Sequence, residues 1–257
     1  VLTVAGANSL SLYSIPNLDY VGKAVYTNKP YAGSFRGYGN PQGTFALECI
    51  LDMIAERLKI DPFDFRIINA RRSGETTVLG QKITSCGFSE CVEKSRVALR
   101  KSGKIEENTG VGIAGFYHVG GGTRVHGNSD GCGAFIKVDD DGGATLITGS
   151  QEIGQGANTV FAQIVAEVLG IEIEDVRVEN TDTDIIPWDI GSHASRSTFI
   201  GGNAAKLAAV DAKNQIRKVA AEMLEANEGD LEFRHKKIFV RGSPEQSIGF
   251  RDAVRRC

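Results

Sequence analysis

The 257 residues carry a formal net charge of -3, with 41% hydrophobic and 24% charged side chains, proportions that suit a globular protein of one or two domains with a sizeable core. No Lys/Arg cluster exceeds a pair and no apolar run approaches the roughly 18 residues of a membrane span, which argues against nucleic acid and membrane as partners. There is no charged leader followed by an apolar signal core, and the missing initiator Met and abrupt end at Cys257 read as a piece of something longer in the cytoplasm.

In chain order, residues 1–20 are apolar and irregular, with a turn at Pro16-Asn17. Residues 21–27 alternate as a strand would, and a glycine-rich loop, YAGSFRGYGNPQG, occupies 31–43. From Thr44 a helix is expected with Leu47, Ile50, Leu51, Ile54 and Leu58 on one face, stopping near Lys59 because Asp61 precedes Pro62. A short helix lies around 91–99. Residues 101–110 make the best linker, dividing the chain into a first part, 1–105, and a second, 106–257. Residues 112–115 read as strand, and 135–138 with 144–148 as a hairpin around DDDGG.

Gly149 then opens GSQEIGQG, whose glycines permit left-handed angles or close approach to a bound group. The amphipathic helix behind it carries Val160, Phe161, Ile164, Val165, Val168 and Leu169 on one face and ends at Gly170. Amides at such a helix start can hold an anion. Residues 176–179 form a short strand, 180–202 a long polar loop, 204–227 a third helix, and 238–240 a last strand. Residues 55–66 and 166–177 agree at six of twelve positions, 111 residues apart, which points to two related units.

Motif by motif, most chemistry falls away. Gln42 stands where a dinucleotide fingerprint needs its third glycine, and no loop ends in Gly-Lys-Ser/Thr. The five cysteines form no zinc pattern, and the ferredoxin spacing begun by Cys86 and Cys91 fails at Lys94, so reduced, mostly buried thiols are expected. His118, His126, His193 and His235 lack paired metal spacing and read as polar loop or surface residues. Ser195, His193 and Asp189 have the residue types of a hydrolase triad but lie in one loop without a nucleophile elbow. Three small-residue loops remain, 33–43, 149–156 and 191–198, rich in backbone donors and neutral amides or hydroxyls that suit an anionic, hydrogen-bonding ligand.

These loops resemble the molybdopterin-binding large subunit of the xanthine dehydrogenase and aldehyde oxidase family. The similarity lies in Phe35-Arg36-Gly37-Tyr38-Gly39-Asn40-Pro41-Gln42, in Glu152-Ile153-Gly154-Gln155-Gly156, and in Asp182-Thr183-Asp184 followed by Ala194-Ser195-Arg196-Ser197, in that order. The resemblance implies an α+β fold of two related α/β sandwich-like units that grip the pterin. It implies that Phe35, Arg36 and Gly37 bring backbone amides beside the molybdenum ligands and that Tyr38 packs against substrate. Gly154, Gln155 and Gly156 would bind the pterin, while His193, Ala194, Ser195 and Ser197 wrap it and its phosphates.

The same resemblance implies a molybdenum-dependent oxidoreductase. Its pterin is extended in some forms as a cytosine dinucleotide, with iron-sulfur and FAD centres on partner subunits, assembled as a homodimer of heterotrimers. The subgroup looks 4-hydroxybenzoyl-CoA reductase-like or xanthine dehydrogenase-like. The family's general-base Glu has no matching motif here, so it is expected beyond Cys257 and the chain alone is expected to be inactive. A non-catalytic pterin-binding or assembly protein of the same fold is the alternative.

Overall fold

The computed structural model describes residues 1–103, 106–121 and 130–257. It divides into two compact units, Val1–Val119 and Gly120–Cys257. The α+β class holds, with all six strands among the described residues in the second unit.

The first unit is built on helices: α1 (Leu2–Ser9), α2 (Asn40–Leu58), α3 (Pro62–Asn69) and α4 (Phe88–Lys101). Helix α2 stops where Lys59 turns left-handed at φ 56°. Asp61 then starts α3, its carboxylate accepting the Phe63 and Asp64 amides, with Pro62 at the first helical position. The centre of this unit is polar. Glu48 accepts the Tyr13 hydroxyl at 2.7 Å and the Arg66 Nε at 2.8 Å, while Arg66 also reaches Asp52 at 2.8 Å. Burial, reinforced by the bond to Glu48, pushes the Tyr13 phenol well above its ordinary value. The apolar side chains of α2 are largely uncovered, Met53 at 66% and Leu58 at 57% exposure, contrary to a helix packed on its hydrophobic stripe.

The second unit has two three-stranded sheets. In the first, β2 (Ala144–Thr148) pairs antiparallel with β1 (Ala134–Val138) and parallel with β3 (Val176–Glu179). Helix α5 (Ala157–Leu169) makes the crossover from β2 to β3, as parallel neighbours require. The long α6 (Gly202–Leu224) packs on α5 and β1. Leu146, Phe161, Val165 and Leu169 are fully buried with Ala205, Ala209 and Ala220 of α6, whose small side chains let the helix approach closely. The second sheet, β4 (Leu231–Arg234), β5 (Lys237–Val240) and β6 (Ser243–Gly249), is antiparallel and leads to α7 (Phe250–Val254).

Several expectations need correction. Residues 21–27 and 112–115 are irregular and not strands, since among the described residues no strand in their unit offers a ladder. Residues 2–9 are helical. The thiols are not mostly buried: Cys49, Cys86, Cys91 and Cys257 are exposed and Cys132 is half-buried. The two similar stretches share a helix that ends in a left-handed residue, Lys59 or Gly170, and then an acidic cap, Asp61 or Glu172. They then diverge, since α3 continues to Asn69 whereas the turn Ile173–Asp175 passes into β3.

Candidate functional site

Because β2 and β3 run parallel, their carboxyl ends share one sheet edge, and antiparallel β1 begins at that same edge with Ala134 opposite Thr148. Three segments therefore converge there: 130–133 entering β1, 149–156 leaving β2, and 180–201 leaving β3. Such an edge is where open α/β sheets hold ligands. Ser192 Oγ donates to the Gln151 carbonyl at 2.6 Å, which ties the second and third predicted loops together. Buried Asn180 donates to the Ser150 carbonyl at 2.9 Å and to Asn158 Oδ1 at 2.7 Å, anchoring the start of the loop and the first turn of α5 to the end of β3. The loop at 33–43 lies in the first unit.

Gly154 and Gly156 take φ of +95° and +83°, angles open to glycine at little cost. A Cβ on either would meet nothing within 4 Å, so the loop faces open space. The amides expected to await an external anion are already taken. Glu152 accepts the N–H groups of Gly154 at 2.7 Å, Gly156 at 3.0 Å and Asn158 at 3.1 Å. Those bonds, Gly156 and Asn158 first, hold its carboxyl below the usual range. Gln155 is also turned inward, accepting from the Ile153 amide at 2.6 Å and donating to the Gln151 carbonyl at 3.0 Å.

With its folded-state pKa depressed, Glu152 contributes stability that is present above the ordinary carboxylate range and is lost as pH falls through the lowered value. Exchange protection of the Gly156 and Asn158 amides should therefore step down in that acid window, and Glu152→Gln should abolish the step. An unchanged step in the variant would remove Glu152 as its origin.

In the third loop, Ala194 and Ser195 both have positive φ, 47° and 55°, and the Arg196 amide bonds the His193 carbonyl at 3.1 Å. These are the signs of a type I′ turn. It is built here without glycine, at roughly 1–2 kcal/mol for each left-handed residue. Ser195 is exposed at its tip, while Ala194 and Ser197 are buried. Ser197 begins a π-helical turn, Ser197–Gly201, that runs into α6.

Behind the turn, the fully buried Arg196 guanidinium reaches Asp130 at 2.7 Å, Asp189 at 2.7 and 3.0 Å, and the carbonyls of Gly131 at 2.7 Å and Gly191 at 3.0 Å. The hydrolase triad is thereby overturned. Asp189 serves Arg196 and the Gly191 amide, and His193 Nδ1 lies 3.0 Å from the Gly191 carbonyl. Asp182 turns its carboxylate onto the Asp184 amide at 2.9 Å.

In the first unit, Phe35 is 83% exposed and Arg36 is exposed beside it. Gly37, Tyr38 and Gly39 all have positive φ and deliver the chain to α2 at Asn40. The Tyr38 ring meets His118 edge-on, with centroids 6.1 Å apart, and its hydroxyl is buried without a hydrogen-bond partner among the described residues. Burial pushes that phenol up. Buried Asn40 donates to the Tyr117 carbonyl at 2.6 Å, which fixes its amide so that the same nitrogen faces His118 Nδ1 at 3.4 Å.

Sequence reading missed the cap made by Glu152, the Arg196 cluster and this placement of His118, all set by contacts distant in the chain or by side-chain direction. His126 lies outside the described residues. Among the described residues, no three His, Cys, Asp or Glu side chains gather as a metal site, and no helix is long and apolar enough to cross a membrane.

Comparison with known proteins gives the family. Two family models described as molybdopterin cofactor-binding domain match residues 1–70 and 89–257. The xanthine dehydrogenase molybdenum-binding subunit of Escherichia coli O157:H7 is 38% identical over 255 residues, which cover 95% of this chain and 34% of that protein. The nicotine 6-hydroxylase large subunit of Paenarthrobacter nicotinovorans is 30% identical over 269 residues, 97% of this chain and 33% of that one. Among solved structures, quinoline 2-oxidoreductase from Pseudomonas putida 86 superposes with a TM-score of 0.79 at 26% identity, covering 99% of this chain and 34% of its own. The chain thus spans about a third of the length of these relatives.

Proposed function

This chain belongs to the molybdopterin-binding subunits of the xanthine dehydrogenase and aldehyde oxidase family, and from that premise we propose that it forms the cofactor-holding centre of a molybdenum-dependent oxidoreductase. The relatives above are named for xanthine, nicotine and quinoline, all nitrogen heterocycles, so the substrate assigned is a heteroaromatic ring. The observation that carries the reading is the sheet edge where loops 149–156 and 191–198 are joined through Ser192 and Gln151, with Gly154 and Gly156 facing open space.

That donor set fits a pterin. It offers Gln151 and Ser195, together with Gln155 and Ser192, which now bond within the loops and would exchange those partners for a ring rich in nitrogen and oxygen, while Glu152 already occupies the charged position at the helix start. The cofactor, when bound, supplies the redox chemistry. The chain's own residues position it: Gly154, Gln155 and Gly156 along the pterin, and His193, Ala194, Ser195 and Ser197 around the pterin and its phosphates. Phe35, Arg36 and Gly37 lend backbone beside the metal, and Tyr38 contacts substrate. The general base is assigned to a Glu of the full subunit outside these residues. Iron-sulfur and FAD partners, a homodimer of heterotrimers and a cytoplasmic location complete the proposal.

The test is elemental analysis for molybdenum, with pterin fluorescence after oxidation, on the full-length subunit purified with its partners. Near-stoichiometric metal is the expected result. Gln155→Ala should remove about 1 kcal/mol of cofactor binding, read as roughly fivefold faster pterin loss. Absence of molybdenum under conditions that load a relative would instead favour a non-catalytic binding or assembly role.

A further inference from the structure

We propose that Arg196 is a positioning residue for the cofactor, acting through the left-handed turn at Ala194 and Ser195; this rests on the pterin-binding reading of that loop. One guanidinium ties its own loop, through Asp189 and Gly191, to a segment remote in sequence, 130–131 ahead of β1. All of its nitrogens are engaged, and its side chain is fully buried, as is that of Asp189, with Asp130 nearly so. Arg196 directly follows two non-glycine residues held at positive φ, and its own amide closes their turn onto His193. The Ala194 carbonyl is fixed from the other side by the Gly121 amide at 2.8 Å. A planar fork anchored on two carboxylates and two carbonyls is suited to hold a turn that Ala and Ser do not favour by themselves. The exposed product of that turn is Ser195.

The experiment measures pterin release from the full-length subunit with its partners, alongside the melting temperature of each variant. Arg196→Lys retains the charge but, with three donors on a point charge, cannot reproduce the fork. It should release pterin at least tenfold faster. Adding Ala194→Gly, which takes the left-handed angle readily, should recover at least half of that loss relative to Ala194→Gly alone. A purely structural role for Arg196 would give no such recovery, since glycine does nothing to restore the buried cluster.

Release from Arg196→Lys at the wild-type rate, or a loss that Ala194→Gly leaves untouched, would overturn the proposal. If Arg196→Lys fails to fold, Asp130→Asn keeps the shape of the cluster, and it should speed release about threefold; an unchanged rate overturns the proposal equally. Ser195→Ala separates the two readings. Faster release from Ser195→Ala with none from Arg196→Lys rejects only the positioning role, whereas unchanged release from Ser195→Ala and from Gln155→Ala rejects the pterin assignment of the loops.

Discussion

Glu48→Ala should destabilise the first unit by about 3–5 kcal/mol, the loss expected when one partner of a buried ion pair is removed and the other stays behind. The reason lies in what the unit has at its centre. Its buried apolar residues are few, Val4, Leu12, Tyr13, Ala55, Ala70, Val92 and Val119, and the middle is held by Glu48. One of its carboxylate oxygens accepts from Tyr13 and the other from Arg66, so its loss strands a phenol and a guanidinium that are both buried.

Asp52 remains on Arg66 but is half in water, where a charge pair is worth about 1 kcal/mol or less. Tyr13→Phe removes a single bond and should cost about 1 kcal/mol. Glu48→Gln should fall between the two variants. Urea denaturation of the 257-residue chain, followed by probes in each unit, tests the order, because the loss should appear in the first unit's transition alone. Equal midpoints for Glu48→Ala and Tyr13→Phe would show that Asp52 suffices for Arg66.

How far the sequence carried this architecture follows from where each element's information is stored. Helix α5, the β1–β2 hairpin, β3 and α6 were legible because their apolar periods and turn residues are local. The β4–β5 hairpin was not. Its two-residue turn is His235-Lys236 at φ 49° and 58°, a conformation ordinarily announced by Asn-Gly or Asp-Gly, so its signal was missing. Helix α1 escaped notice because LTVAGANS has small residues and no polar period, and four of its eight residues are buried, Asn8 and Ser9 among them. Residues 21–27 carried the alternation of a strand, but alternation states only a preference, and pairing needs a partner that the described residues of this unit do not provide.

The candidate loops were visible for a different reason, their density of glycine, amide and hydroxyl groups. What composition does not encode is direction. It did not show that Glu152 caps its own loop, nor that Asp189 faces Arg196 and not His193. The Arg196–Asp130 pair spans 66 residues, and no short motif contains it.

Gly170→Ala should destabilise the second unit by roughly 2–5 kcal/mol. Two penalties meet at this position. The first is conformational: Gly170 caps α5 at φ +72°, where a side chain costs about 1–2 kcal/mol. The second is spatial. A Cβ there would overlap the carbonyl group of Phe233 and sit 2.7 Å from the Arg234 nitrogen, both backbone of β4. A strand already paired with β5 through Phe233 and Ile238 has little room to yield, and overpacking of this kind costs about 1–3 kcal/mol.

The Gly170 carbonyl also accepts the Lys236 amide at 2.8 Å, so a shift of α5 would strain the hairpin turn as well. Gly154→Ala separates the two penalties. Gly154 is equally left-handed, at φ +95°, but a Cβ there meets nothing within 4 Å, so its stability loss should be the conformational part alone. Thermal melting of the two variants in the same chain measures the difference. An excess of 1 kcal/mol or more at Gly170 identifies the seam between the end of α5 and β4 as close-packed; equal losses would mean that β4 moves aside and that the fold requires only the left-handed turn.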